Sequence, residues 1–267
     1  MTAVAPPDIL LRIIARRRDC YGVAPGEVDL PGAPTGAAPL DASTNSFLAA
    51  IAAQKGRAIL AEVKLGSPRL GSIEGSFDPE RHARLYAENG AAALSVVVEP
   101  DSFFGSYDLL ARCRAASGLP TIAKDFVVST RQLEEAKAAG ADAVLLIASL
   151  YQPETLLRFA DAARRLGLAP LVETHDLADV DKLEGAEWEL VGVNNRDLRT
   201  FVVNLSHSIS LQRRLPAGAL KVAESGLRTA ADIGRLRQAG FDAFLIGESL
   251  VTNRDPGMKL RELLGRS

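Results

Sequence analysis

From position 58 onward, short apolar runs alternate with stretches whose apolar residues recur every three or four positions. Buried strands separated by amphipathic helices give this pattern. The runs fall at 58–63, 93–98, 121–123, 143–148, 169–172, 190–193, 220–223 and 243–246. Helical spacing fills 79–88, 107–116, 130–139, 154–166, 177–183, 206–214, 230–238 and 258–264. Three returns into a strand share one shape: Asn89-Gly90-Ala91-Ala92-Ala93, Ala139-Gly140-Ala141-Asp142-Ala143 and Ala239-Gly240-Phe241-Asp242-Ala243. Glycine just past a helix takes the left-handed conformation without a Cβ penalty. Eight successive β-α units predict an α/β fold, a (β/α)8 TIM barrel with an N-terminal helical extension. A doubly wound open sheet competes, but no Gly-x-Gly-x-x-Gly follows the first strand.

Ahead of the barrel, Ile9, Leu10, Ile13 and Ile14 keep helical spacing and run into Arg16-Arg17-Arg18. This predicts one amphipathic helix whose arginines form a solvated C-terminal end. Residues 21–41, rich in Gly, Pro and Ala, read as an irregular connection, and a short helix is expected over 43–53. The chain thus divides into an extension, 1–56, expected to pack over the barrel mouth, and a catalytic barrel, 57–267.

Strand side chains alternate faces, so Leu60, Glu62 and Lys64 share one face of the first strand. The same count aligns Ile122 with Lys124, Leu171 with Glu173, Leu190 with Asn194 and Val222 with Glu224. In a barrel these strand ends meet at one mouth, where (β/α)8 active sites lie. Burying unpaired ions costs roughly several kcal/mol each, so such a cluster points to chemistry rather than stability. Ser225-Gly226 after the seventh strand and Gly247-Glu248 after the eighth occupy the corners where barrels commonly hold phosphate. There the Glu248 backbone N–H is expected to contribute and its carboxylate to turn away.

Composition narrows the partners. With 47% hydrophobic, 24% charged and 5% aromatic residues, the chain has the make-up of a globular protein rather than a disordered one or a coiled coil. Thirty-one basic and 33 acidic residues leave a net charge of −2, with no global field for nucleic acid or anionic lipid. The longest uncharged apolar run, 143–151, is well short of the roughly 20 residues a membrane helix needs. Two cysteines, and arginines that follow the first apolar patch rather than precede it, predict a reduced cytoplasmic protein. His82, His175 and His207 lie in helices or helix starts without a carboxylate or cysteine at metal-ligand spacing, so no metal is expected. Among the aromatics, Phe104, followed by Gly105-Ser106, is favoured over Phe103 and Trp188 for a ligand pocket.

Three readings fit a charged mouth with a phosphate corner. Lys64 or Lys124 could form a Schiff base, as in a class I aldolase; the lysines could act as acids; or the barrel could be a non-enzymatic scaffold, for which mouth charges have no use. In chain order, Ala61-Glu62-Val63-Lys64 with Ser67-Pro68, Leu94-Ser95-Val96, Phe103-Phe104-Gly105-Ser106, Lys124-Asp125-Phe126, Leu171-Val172-Glu173, Gly192-Val193-Asn194-Asn195-Arg196-Asp197-Leu198, Ala223-Glu224-Ser225-Gly226 and Leu245-Ile246-Gly247 resemble the indole-3-glycerol-phosphate synthase family over essentially the whole chain. The resemblance implies a cofactor-free ring closure, decarboxylation and dehydration of 1-(2-carboxyphenylamino)-1-deoxyribulose 5-phosphate in tryptophan biosynthesis. It implies Lys124 as general acid, Lys64 and Glu62 in the dehydration, and Glu173 and Glu224 stabilising cationic intermediates. Asn194 and Arg196 would hold the anthranilate side, with Ser67 and Phe104 also contacting substrate, and Ser225, Gly226, Gly247 and Glu248 would bind phosphate. The alternative is a paralogue acting on a substituted anthranilate derivative; in either case the partner is a small phosphorylated molecule and the protein a monomer or weak homodimer.

Overall fold

Eight parallel strands close into a barrel in the computed structural model, which describes residues 8–30, 36–68, 71–73, 77–197, 200 and 202–266. They are β1 (Ala58–Val63), β2 (Ala93–Val97), β3 (Thr121–Lys124), β4 (Ala143–Ile147), β5 (Ala169–Thr174), β6 (Leu190–Asn194), β7 (Leu220–Glu224) and β8 (Ala243–Ile246). Each pairs with its sequence neighbours, and β1 closes the ring by pairing with both β2 and β8, Leu60 opposite Ala93 and Leu245. The polar residues expected just beyond several runs belong to the strands themselves: Lys124, Glu173, Asn194 and Glu224 still pair in the ladder.

Alternation divides the strands as their parity requires. Leu60, Ile122, Leu145, Leu171, Leu190, Val222 and Leu245 fill the barrel interior. Ile59, Leu94, Val96, Leu146, Val172, Val191 and Phe244 face outward into the core beneath the helices. Strands covered on both faces need the continuous apolar runs seen in the sequence. Helices Pro79–Glu88, Tyr107–Ser117, Thr130–Ala138, Pro153–Arg165, Leu177–Asp181, Leu205–Leu211, Ala230–Gln238 and Pro256–Leu263 follow the strands. Short elements absent from the periodicity reading are the helices Pro100–Phe103 and Glu248–Val251 and a hairpin pairing Gly66–Ser67 with Gly71–Ser72.

The extension splits between the two ends of the barrel, a correction to the expectation that it covers the mouth. Helix α1 (Asp8–Tyr21) does lie at the mouth, packing Leu10 and Ile14 on Val128 beyond the end of β3. Helix α2 (Ser46–Ala53) plugs the opposite end, burying Phe47, Leu48 and Ile51 against the interior cluster. The cause is size: Ala58, Ala93, Ala143, Ala169 and Ala243 begin five strands and leave that end too empty to close itself. Asn45 fixes the plug, capping α2 through Phe47 and Leu48 N–H while its Nδ2 donates to Asp142 and Gly167 carbonyls at 2.8 and 3.1 Å.

The arginine triplet is also not wholly solvated. Arg16 is exposed and Arg18 donates to the Glu27 carbonyl. Arg17 is only 4% exposed and pairs with Asp125, the residue after Lys124. Asp125 also accepts from Gln132 Nε2 at 2.8 Å, Tyr107 Oη at 3.2 Å and Phe126 N–H at 2.8 Å. This network, with the Arg17 guanidinium 5.1 Å above the Tyr21 ring, ties α1 to the rim.

Candidate active site

The mouth holds a cavity of about 590 Å³. Ile9, Leu10 and Ile13 of α1, with Phe103 and Phe126, form an apolar wall; the floor is ionic. At its centre Lys124 Nζ sits among three carboxylates, 3.3 Å from Glu224 Oε2, 3.7 Å from Glu62 Oε2 and 3.8 Å from Glu173 Oε2. Lys64 Nζ lies 2.6 Å from Glu62 Oε1. Asn194 Nδ2 donates to Glu173 Oε1 at 3.1 Å, and its own Oδ1 accepts the Arg196 N–H at 3.0 Å. The six strand-end polar groups singled out by parity therefore meet in one cluster.

Their protonation follows from burial set against this pairing. Burial opposes the Lys124 ammonium, but Glu224, Glu173 and Glu62 together outweigh it and hold Lys124 above the ordinary lysine range. The free site thus keeps this lysine charged instead of making it a stronger acid. Burial would raise Glu62, yet Lys64 and Lys124 hold it below the ordinary carboxylate range. Glu224 goes the other way, raised first by burial and then by the neighbouring Glu173, against the pull of Lys124.

Two glycines make room for this floor. A Cβ at Gly192 would overlap the Glu224 carboxylate, and one at Gly247 would overlap that of Glu62. Gly192 shares the inward parity of Leu190 and Asn194, the one sequence signal of its place beside the floor. The phosphate corner is shaped by its backbone: Ser225 and Gly226 both take left-handed conformations, φ 68° and 81°. Asn195 holds the corner, its Nδ2 donating to the Glu224 and Ser225 carbonyls at 3.0 and 3.2 Å. The Glu248 carboxylate turns to Arg196, at 3.1 Å, and Arg228, at 3.9 Å.

Ser67, Arg196, Ser225, Gly226, Gly247 and Glu248 all border the cavity. Phe104 does not, which corrects its choice over Phe103. Its backbone is left-handed, φ 60°, and its ring lies against Gly66, so Phe103 takes the cavity wall. His175 is likewise not without an acidic neighbour: its ring lies between Glu173 and Asp179. Period-2 parity continued from Glu173 would have found it. Among the described residues no group of three His, Cys, Asp or Glu side chains is arranged to hold a metal ion, and no helix is long and apolar enough to cross a membrane.

A sequence profile described as indole-3-glycerol phosphate synthase matches residues 12–263. Proteins of that name from Rhodopirellula baltica and Albidiferax ferrireducens are 40% and 39% identical, over 91% and 96% of this chain and 94% and 98% of their own. Among solved structures, 3-hexulose-6-phosphate synthase from Salmonella typhimurium aligns at TM-score 0.60 with 13% identity, over 78% of this chain and 97% of its own. A tryptophan synthase chain from Pyrococcus furiosus aligns at TM-score 0.59 with 17% identity, over 79% of this chain and 99% of its own. At such identities these structures speak to the barrel fold alone.

Proposed function

The chain belongs to the indole-3-glycerol phosphate synthase family, and from that premise we propose that its barrel mouth converts 1-(2-carboxyphenylamino)-1-deoxyribulose 5-phosphate to indole-3-glycerol phosphate, CO₂ and water, a carboxy-lyase step of tryptophan biosynthesis. The observation that carries this reading is the Lys124 ammonium among three carboxylates, below an apolar wall and beside a glycine-lined corner. Ring closure joins the aromatic carbon bearing the carboxylate to the ketone carbon, and Lys124 gives its proton to the ketone oxygen. Positive charge grows on the anilino nitrogen, which the Glu173 carboxylate stabilises without reorganisation while Glu224 beside it orients the group. That same charge, arriving beside a lysine held by carboxylates, drives the proton off.

Loss of CO₂ leaves its bonding electrons in the ring. Lys64, paired with Glu62, then protonates the departing hydroxyl, and the methylene proton lost as the indole double bond forms returns to that pair. Asn194 and Arg196 hold the anthranilate side, Ser67 borders it, and Phe103 packs on its ring. Ser225, Gly226, Gly247 and the Glu248 N–H receive the phosphate. A Schiff base at Lys124 would need a neutral amine, and the surrounding acidic side chains favour its charged form. The test is the rise of indole fluorescence on mixing enzyme with the carboxyphenylamino deoxyribulose phosphate; no signal at micromolar enzyme refutes the reading.

A further inference from the structure

Of the three histidines only His175 touches the ionic floor, and the steps above give it no part. It follows Glu173 by two positions, and its ring lies against that carboxylate without lining the cavity. Nε2 lies 3.1 Å from Glu173 Oε1 and Nδ1 3.6 Å from Asp179 Oδ2. Asp179 is held in place in turn: Lys182 Nζ lies 3.0 Å from its Oδ1, the His175 N–H donates to its Oδ2 at 3.0 Å, and its own N–H donates to Asp176 Oδ1 at 2.9 Å. His207 approaches only the His175 backbone carbonyl, at 2.6 Å. Burial works against a charged imidazole here, but Asp179 and Glu173 outweigh it and push His175 up to about 10.

The consequence falls on the next pair inward. Glu173 and Glu224 share the Lys124 ammonium through their Oε2 atoms. Glu173 Oε2, Glu224 Oε1 and both ring nitrogens of His175 are buried without a hydrogen-bond partner among the described residues, so the imidazole acts on Glu173 and Asp179 through charge at short distance. Two carboxyls drawn to a single ammonium do not both ionise readily, and Glu173 lies below the ordinary carboxylate range while Glu224 lies above it. A second cation on one side decides which of them keeps a proton, and His175 stands on the Glu173 side.

We infer that His175 is a positioning residue of this mouth, its imidazolium holding Glu173 as the carboxylate and leaving the shared proton on Glu224. Its meaning in turnover rests on the proposed function: Glu173 supplies the fixed negative charge for cationic intermediates, and Glu224 is the carboxyl able to give a proton. The ordering itself is a property of the free protein.

The experiment is a carboxyl-carbon NMR titration of the whole chain, wild type against His175→Gln and His175→Lys, with kcat and KM measured across pH. In the wild type Glu173 titrates below the ordinary range and Glu224 above it. In His175→Gln the Glu173 midpoint rises by about one pH unit or more and the gap narrows, as expected when an adjacent cation is lost. The same variant loses about tenfold in kcat with KM within about twofold, the acid limb of kcat/KM moving up in step. His175→Lys keeps the wild-type order and limb. Unchanged midpoints in His175→Gln, or equal narrowing in His175→Lys, overturn the inference. Should His175→Gln not fold, Asp179→Asn removes one of the two carboxylates holding the imidazolium and must narrow the gap part way; an unchanged gap there overturns it too. An inactive wild type would instead refute the proposed reaction, the titration still deciding the ordering.

Discussion

Replacing Arg17 with alanine tests whether α1 is fastened to the barrel by one buried pair. Arg17 and Asp125 are each 4% exposed, so removing the guanidinium leaves a carboxylate out of reach of solvent. Breaking a buried pair from one side costs roughly 3–5 kcal/mol when nothing else serves the orphan charge. Asp125 keeps three donors, Gln132 Nε2, Tyr107 Oη and Phe126 N–H, and hydrogen bonds to a charged group are worth about 1.5–3 kcal/mol each. These donors already serve the carboxylate in the intact protein, so they soften the loss without replacing it, and the expected cost is about 2–3 kcal/mol. For a chain of this size that lowers Tm by about 4–12 °C. Urea unfolding of Arg17→Ala, Asp125→Asn and the double variant measures the coupling directly, which should be at least about 1 kcal/mol. Because the pair is buried, added salt should leave it nearly intact. A loss under about 0.5 kcal/mol, or no coupling, would show that α1 is held by its apolar face alone.

Other outcomes follow from the floor and its supports. Lys124→Ala should lose at least about 10²-fold in kcat while calorimetry still detects binding of a phosphorylated ligand; near-normal turnover would remove the lysine from its role. Gly192→Ala places a Cβ onto the Glu224 carboxylate, so kcat should fall about tenfold or more with the fold retained, and wild-type kinetics would mean that this carboxyl has room to move. Folded His175 sits at about 10 against an ordinary 6.5, so the folded chain holds the extra proton in that window and stability declines as pH climbs through it. His175→Gln should flatten that decline in urea titrations, and an equal slope would contradict the pairing.

The barrel and its inward charges were legible because alternation is a local rule. A strand buried on both faces reads as a continuous apolar run, and a charge at its end keeps the parity of the residues before it. That rule placed Glu62, Lys124, Glu173, Asn194 and Glu224 at one mouth without knowledge of any contact. It also held His175 and Gly192, whose roles went unread because a histidine's charge depends on its neighbours and a glycine's use on what fills its missing Cβ. Only the packed structure brings Asp179 to His175 and the Glu224 carboxylate to Gly192.

The ends of the chain's elements show the same division. The sequence predicts α1 as an amphipathic helix and α2 as a short apolar one, but not which end of the barrel each meets, since an irregular connection separates them. The alanine-rich start of the strands drew α2 into one opening, and the Asp125 network drew Arg17 to the other. Phe103 and Phe104 differ by one position, and a left-handed turn at Phe104 exchanged their places. Sequence by itself determined the fold and the face of each strand, because these follow from spacing along the chain. Tertiary structure decided which charges are paired, which proton is shared and which aromatic meets the cavity, because those energies arise between residues that only folding brings together.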